Sequence, residues 1–372
     1  MTGQRVGPQV SAIDQVSVGW LESALSNAGF GDPIVSGFSI ERVGTGQAAV
    51  CCRIALEYDD PDPTLPKTPG PALPKTIVAK FPGENEASRR TGVEGGTYQR
   101  EVDFYRRLRS RLLIRTPACY LAEIADQGPE FALLLEDLAP ATQGDQIAGC
   151  TPELARAAVR ELVGLHAASW KNPEILNFGP NELTPAQRGM MTMDIYRQGL
   201  PHFVERCAHA LLPDEIALLE RVATSQIFPS EFPMVESACL VHNDYRLDNL
   251  LIDERTTPPI LHVVDWQTYS VGNPMRDVSY FMGGCLFPDV RREVERDIVR
   301  EYHDRLIAAG IAGYHWDDCW SDYRKSSYHG LMNPMAAMIF VTPTERGDRL
   351  FSIMAQRHAR QILELGADEF LT

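Results

Sequence analysis

Residues 240–253 read Leu240-Val241-His242-Asn243-Asp244-Tyr245-Arg246-Leu247-Asp248-Asn249-Leu250-Leu251-Ile252-Asp253. A carboxylate two residues after a histidine and five before an asparagine has the spacing of a phosphoryl-transfer catalytic loop. Asp244 can accept a hydroxyl proton and aim the oxygen at a γ-phosphate. Asn249 can offer an amide oxygen to a cation, and Asp265, in Asp265-Trp266-Gln267, a carboxylate. Mg²⁺ keeps most of its water and phosphate ligands, so this sparse oxygen ligation suits it. His242 is expected to brace the loop through hydrogen bonds rather than to handle protons, and Asp248 to face solvent. Arg246 can offset charge on the transferring phosphoryl group or pair with a nearby carboxylate, and both readings stay open.

Short local elements must deliver these groups. Positions 250–252 and 260–264 are apolar runs, and Thr257-Pro258-Pro259 between them is a turn signal. A strand–turn–strand unit makes the sequence gap between Asn249 and Asp265 short in space. Upstream, 17–28 reads as a short helix capped by Ser17, with Trp20, Leu21 and Leu25 on one face and Gly29 at its end. Strands are expected over 34–43 and 48–58, around Gly44-Thr45-Gly46, and over 76–81. A helix follows over 97–113 with Val102, Tyr105, Leu108 and Leu112 on one side, then strands near 117–124 and 130–135. Positions 59–74 carry six prolines and should form an exposed loop.

From Thr151-Pro152-Glu153, a cap followed by proline at the first helical position, the pattern turns helical apart from the hairpin at 239–266. The order predicts an α+β protein with a small strand-rich lobe over 1–138 and a larger helical lobe over 139–372. It excludes an alternating βαβ sheet.

Length and composition bound the function. A chain of 372 residues suits about two lobes, and 44% hydrophobic with 23% charged residues is ordinary for a globular protein. A formal net charge of −15 argues against binding a nucleic-acid polymer, which needs basic surface. It leaves room for a single nucleotide held by a few cations and a metal. No apolar run reaches membrane-crossing length, and the first residues lack signal-peptide order. The eight cysteines form no Cys-x-x-Cys pair. Free thiols in a reducing cytoplasm are the expected state, with no support for zinc.

These residues resemble the aminoglycoside phosphotransferase and choline kinase superfamily, which shares the protein-kinase fold. His242-Asn243-Asp244 has the choline-kinase form of the loop, and Asp244 to Asn249 is closer to kinase domains fused to acyl-CoA dehydrogenases. Asp265-Trp266-Gln267 and Glu136-Asp137-Leu138 are similar to the ecdysteroid kinase-like branch. The resemblance covers about residues 34 to 340. It implies a two-lobed protein-kinase-like fold that uses ATP and Mg²⁺ to phosphorylate a small-molecule hydroxyl.

The resemblance also gives roles to residues whose local signal is weak. Gly44 and Gly46 would cover the phosphates, with Ala49 standing where protein kinases place a third glycine. Lys80, alone an ordinary strand-end lysine, would anchor phosphate and pair with Glu101, for which Glu94 is the competitor. Glu136 to Leu138 would read the adenine edge through backbone groups, and Asp277 would brace the catalytic loop.

The acceptor is open. Trp316, Trp320, Tyr323 and Ser327 recur at helical spacing, followed by Tyr328, Met332 and Met335. They form core or the wall of an apolar acceptor pocket. Asp317, Asp318 and Asp322 favour a cationic acceptor or make a solvated helix face. Rival readings are a kinase for an amine or a protein hydroxyl, and a nucleotide-binding pseudokinase without turnover. Oligomeric state is not specified.

Overall fold

The structure, a computed structural model, describes residues 10–44, 49–59, 71–126, 128–178, 185–226, 228 and 237–371, leaving aside the side chains of 185–190. Thr45, Gly46 and Gln47 of the glycine turn and positions 60–70 of the proline-rich loop lie outside the described residues. The chain divides into two compact units. One comprises Met1–Ser110, Thr116–Ala139 and Asp265–Gln267, and the other Arg111–Arg115, Pro140–Val264 and Thr268–Thr372.

The first unit is built on five antiparallel strands: β1 (Val35–Val43), β2 (Ala49–Tyr58), β3 (Thr76–Pro82), β4 (Cys119–Ile124) and β5 (Phe131–Glu136), in the order β1-β2-β3-β5-β4. Period-two alternation sends Cys52, Ile54, Ile77, Ala79, Phe81, Ala132 and Leu134 to one core. Helix α1 (Val18–Leu25) closes that core with Trp20, Leu21, Ala24 and Leu25, after Ser17 Oγ accepts the Trp20 N–H at 3.4 Å. Burying each large side chain here contributes roughly 1.5–3 kcal/mol.

Two features depart from expectation. Helix α2 (Glu86–Glu94), capped by Asn85, has only Gly92 buried, so no apolar stripe announces it. Gly92 has a physical reason: a Cβ there would lie 2.4 Å from the Tyr98 ring. The helix expected over 97–113 is regular only in α3 (Thr97–Asp103). It widens into a π turn over Phe104–Leu108 and tightens at Arg109–Arg111. The wide turn lets the adjacent Phe104 and Tyr105 both go inward, 0% and 6% exposed, which a 3.6-residue period disfavours.

The second unit is mostly helical: α4 (Pro152–Ser169), α5 (Pro173–Leu176), α6 (Pro185–Cys207), α7 (Pro213–Thr224), α8 (Met275–Cys285), α9 (Pro288–Ala308), α10 (Trp316–Ser326), α11 (His329–Phe340) and α12 (Glu345–Glu364). Thr151 Oγ accepts the Leu154 N–H at 3.3 Å and Pro152 takes the first turn of α4. Gly164 lets α4 approach residues 113 and 114, where a Cβ would sit 2.7 Å from backbone atoms. Every residue of α8 is buried.

Instead of one hairpin there are two small sheets. β7 (Cys239–Val241) pairs with β10 (Ser270–Gly272), and β8 (Leu250–Asp253) joins β9 (Ile260–Val263) and the two-residue β6 (Thr142–Gln143). The extra partners are too short to carry a period.

Candidate functional site

In the first unit, β3 carries Lys80 two residues before its end, 8% exposed. Its Nζ lies 2.8 and 2.7 Å from the two Glu101 oxygens and 3.0 Å from Asp265 Oδ1. Burial works against the ammonium charge, but Asp265 and Glu101 outweigh it and hold the Lys80 pKa above its usual value. Glu101, one turn into α3, is 1% exposed, whereas Glu94 is exposed. Gln267 Nε2 donates to Glu101 at 3.2 Å, Arg100 donates to the Gln267 carbonyl at 2.9 Å, and Trp266 stacks on Phe104 at 3.8 Å. Those contacts bind the Asp265–Gln267 segment into this unit.

Asp265 has φ +65°, a conformation that non-glycine residues rarely adopt. Gly44 is exposed with φ +79° at the end of β1, and Gly46 lies outside the described residues. The Glu136 carboxylate accepts the Ala118 N–H at 3.0 Å, and Asp137 pairs with Arg53 at 2.6 Å. Leu138 follows, half-buried.

The second unit contains Asp244. Asp277, fully buried on α8, accepts the backbone N–H of His242 at 2.7 Å and of Asn243 at 2.8 Å, with His166 3.2 Å away. Burial would raise the Asp277 carboxyl, but the hydrogen bond and charge of His166 and the His242 contacts hold it below its usual range. His242 is buried, with Nε2 3.1 Å from the Val264 carbonyl. Asn243 sits at φ +65°, held by bonds from its amide to Thr268 O at 2.7 Å and Ser270 Oγ at 2.8 Å. The loop's backbone is therefore fixed from several sides.

Both oxygens of Asp244 are held. Oδ1 accepts from Tyr280 Oη at 2.9 Å and Asn333 Nδ2 at 3.0 Å. Oδ2 accepts from Asn249 Nδ2 at 2.9 Å and Arg246 Nε at 3.3 Å. Arg246 Nη1 also binds Asp248 at 2.6 Å, so its guanidinium is engaged by two carboxylates.

Asp248 corrects the solvent-facing expectation: it is 9% exposed and accepts the Gln146 N–H at 3.0 Å. Asn249 spends its amide nitrogen on Asp244, which leaves the amide oxygen as the atom a hard cation would take. Asp265 contributes a partly exposed carboxylate, its side chain 41% accessible. Each residue by itself offers an oxygen donor of the kind a hard cation such as Mg²⁺ takes.

Sequence reasoning missed Tyr280 and Asn333. Tyr280 lies one helical turn beyond Asp277, and Asn333 is the lone polar side chain in the run Leu331-Met332-Asn333-Pro334-Met335. Those were the available signals.

The late aromatic stripe divides. Tyr328 and Met335 belong to the core between α6, α7, α11 and α12, with Met332 against it. Tyr323 is buried with its hydroxyl on Glu295. Trp316 and Trp320 stack at 5.7 Å beneath Arg296 and Arg300. Ser327 is buried and donates to the Arg324 carbonyl. Asp322 is not a solvated acid: it is 1% exposed and accepts from Asn273 and Tyr314. Asp317 is exposed and Asp318 half-buried.

Comparison with known proteins bears on the fold and the family. The chain has the fold of an aminoglycoside-phosphotransferase-type protein of Ralstonia eutropha, at TM-score 0.56 and 16% identity over 95% of this chain and 98% of that one. Choline kinase of Cryptosporidium parvum aligns at TM-score 0.52 and 11% identity over 90% and 91% of the two chains. A spectinomycin phosphotransferase crystallised with ADP and spectinomycin aligns at TM-score 0.52 and 12% identity over 95% and 99%. In sequence, a 92-residue stretch is 33% identical to acyl-CoA dehydrogenase family member 10 of Mus musculus, covering 23% of this chain and only 8% of that protein. The profile of the ecdysteroid kinase-like family matches residues 44–310, most of the chain, and the chain belongs to that family.

Proposed function

We propose that this protein transfers the γ-phosphoryl group of ATP, with Mg²⁺, to a hydroxyl of a small molecule, Asp244 acting as the base. The observation that carries the reading is the buried Lys80 ion-paired with Glu101 and Asp265. An ammonium held charged among fixed carboxylates supplies a preorganised cation for a phosphate, as phosphoryl transfer requires. The acceptor oxygen forms a bond to the γ-phosphorus as the bond from phosphorus to the β–γ bridging oxygen breaks. ADP leaves, and the hydroxyl proton passes to Asp244. Asn249 and Asp265 would hold Mg²⁺, which when bound neutralises charge on the phosphates.

Gly44 and Gly46 belong to the phosphate-covering turn in this reading. The side chains of Glu136 and Asp137 are engaged within their own unit. That supports adenine recognition through the backbone from Glu136 to Leu138. Arg246 positions Asp244 in the resting site and can turn toward the transferring phosphoryl group. We place the enzyme in the cytoplasm, a reducing compartment suited to its eight unbridged cysteines. Among the described residues no helix is long and apolar enough to cross a membrane.

For the acceptor we infer a partly apolar alcohol rather than a polycation: of the three acids on α10, Asp322 is taken up in internal bonds and only Asp317 is exposed. The deciding experiment measures ATP consumption across a panel of hydroxylated metabolites, sterols and aminoglycosides. Turnover of an apolar alcohol supports the proposal. Efficient turnover of kanamycin-type substrates alone overturns the acceptor assignment, and Mg·ATP binding with no turnover on any alcohol points to a pseudokinase.

A further inference from the structure

The helical unit contains a cleft of about 800 Å³ whose walls include Ile147, Ala148, Phe287, Arg346, Arg349 and Arg357. Arg357 is only 3% exposed. Its guanidinium lies 4.7 Å over the Phe287 ring and donates to the carbonyls of Gln146 at 3.0 Å, Gly284 at 2.8 Å and Ile147 at 2.9 Å. Among the described residues no carboxylate forms an ion pair with it, or with Arg346 and Arg349 on the exposed start of α12. A guanidinium buried on neutral carbonyls alone is costly, and burial lowers its pKa. Two acids, Asp145 and Glu345, share the cleft. Asp145 is turned to its own loop, accepting the N–H groups of Ile147 and Ala148 at 2.8 and 3.1 Å. In a chain of net charge −15, three unpaired arginines on one cleft reverse the local sign.

The cleft is also wired to the catalytic loop. Gln146, whose carbonyl Arg357 holds, donates its N–H to Asp248 at 3.0 Å and accepts the Leu247 N–H on Oε1 at 2.9 Å. Ile147 packs against the cluster of Tyr280, Leu350 and Met354, and Tyr280 touches Asp244. Ile147 of the cleft and the proposed base thus meet the same small cluster.

We propose that this cleft binds a multiply charged anionic group, a phosphate or paired carboxylates, carried by the acceptor at a distance from its reacting hydroxyl. Arginine forks match such oxyanions in geometry and charge. The acceptor is then amphipathic, an alcohol with an anionic end. The anion site stands on its own observations, while its assignment to the acceptor rests on the phosphotransferase reading.

The test uses the full chain and inorganic pyrophosphate as probe, titrated calorimetrically with excess Mg²⁺ and a saturating non-hydrolysable ATP analogue. Pyrophosphate should still bind with the nucleotide site filled, and Arg346→Glu/Arg349→Glu should weaken it at least about tenfold. Both positions are exposed, so the variant should keep the wild-type unfolding curve, and Arg346→Ala/Arg349→Ala should fall between. Binding abolished by the analogue, absent in the wild type, or equal in the variant overturns the proposal. Turnover on alcohols with and without an anionic group then separates the sources. A loss confined to anionic alcohols supports the acceptor. Unchanged turnover on every alcohol, with pyrophosphate altering only the wild-type rate, overturns that assignment in favour of a free effector. Pyrophosphate binding reads the site even if no alcohol is turned over.

Discussion

The hydroxyl of Tyr280 donates to Asp244 Oδ1 across 2.9 Å from a side chain that is 1% exposed. Burial raises the phenol pKa well above its usual value, so the group stays a neutral donor throughout the working pH range. The Asn333 amide donates to the same oxygen and to the phenol. Two helices, α8 and α11, thereby set which way the proposed base points.

Removing that donor should cost rate rather than nucleotide affinity. Tyr280→Phe keeps the ring and deletes one hydrogen bond to a charged group, worth about 1.5–3 kcal/mol, so kcat should fall roughly 10- to 100-fold. Mg·ATP binding should be unchanged. An equal loss of Mg·ATP affinity would show that the residue supports the fold rather than the base.

Asp244 and Asp265 should separate by assay. Asp244→Asn is expected to retain Mg·ATP affinity while turnover falls by about 10²–10⁴-fold or more, the range of a general base. Asp265→Asn should weaken both. Calorimetry with a non-hydrolysable analogue beside steady-state kinetics reads both quantities, and equal nucleotide loss in the two variants means the roles are misassigned.

A third test concerns the metal. ATP should stabilise the protein far more with Mg²⁺ than without it, by about 2.7 kcal/mol at a hundredfold excess over Kd. Thermal unfolding measures this, and a shift indifferent to Mg²⁺ or to Asp265→Ala would remove the metal assignment.

Glu101 is predicted to matter for stability as well as binding. Glu101→Ala leaves Lys80 buried beside Asp265 alone and should cost about 3 kcal/mol, the scale of breaking a buried pair. Glu101→Gln keeps a hydrogen-bond acceptor and should lose less. Urea unfolding of the two variants beside the wild type checks the order, and midpoints equal to the wild type's would place the pair among inconsequential ones.

His358 provides a pH prediction. It is fully buried, stacks on Tyr280 at 5.4 Å, and burial lowers its pKa to about 3, with Arg291, Arg357 and His329 also facing it. An imidazole normally near 6.5 in the unfolded chain binds its proton there first, so stability is held above that value. It should drain as pH falls from about 6.5 toward 3, by up to about 1.4 kcal/mol per pH unit. Unfolding midpoints of wild type and His358→Gln across pH 4 to 8 test this, and parallel curves for the two would refute it.

What the sequence determined by itself was local. His242 to Asn249 and the apolar runs around Thr257-Pro258-Pro259 sit within thirty residues of one another, so spacing and turn chemistry suffice to read the loop and the β8–β9 hairpin. The order of strands and the capped start of α4 were legible for the same reason. Tertiary structure decided the rest. Asp248 looked like a solvated acid because its partner, the backbone N–H of Gln146, lies about a hundred positions away. Glu94 ends α2 and is exposed, while Glu101 faces inward from the separate helix α3, and the break between the two helices has no sequence period to announce it. Tyr280 and Asn333 meet Asp244 from separate helices because burying a carboxylate requires donors from wherever the fold can bring them.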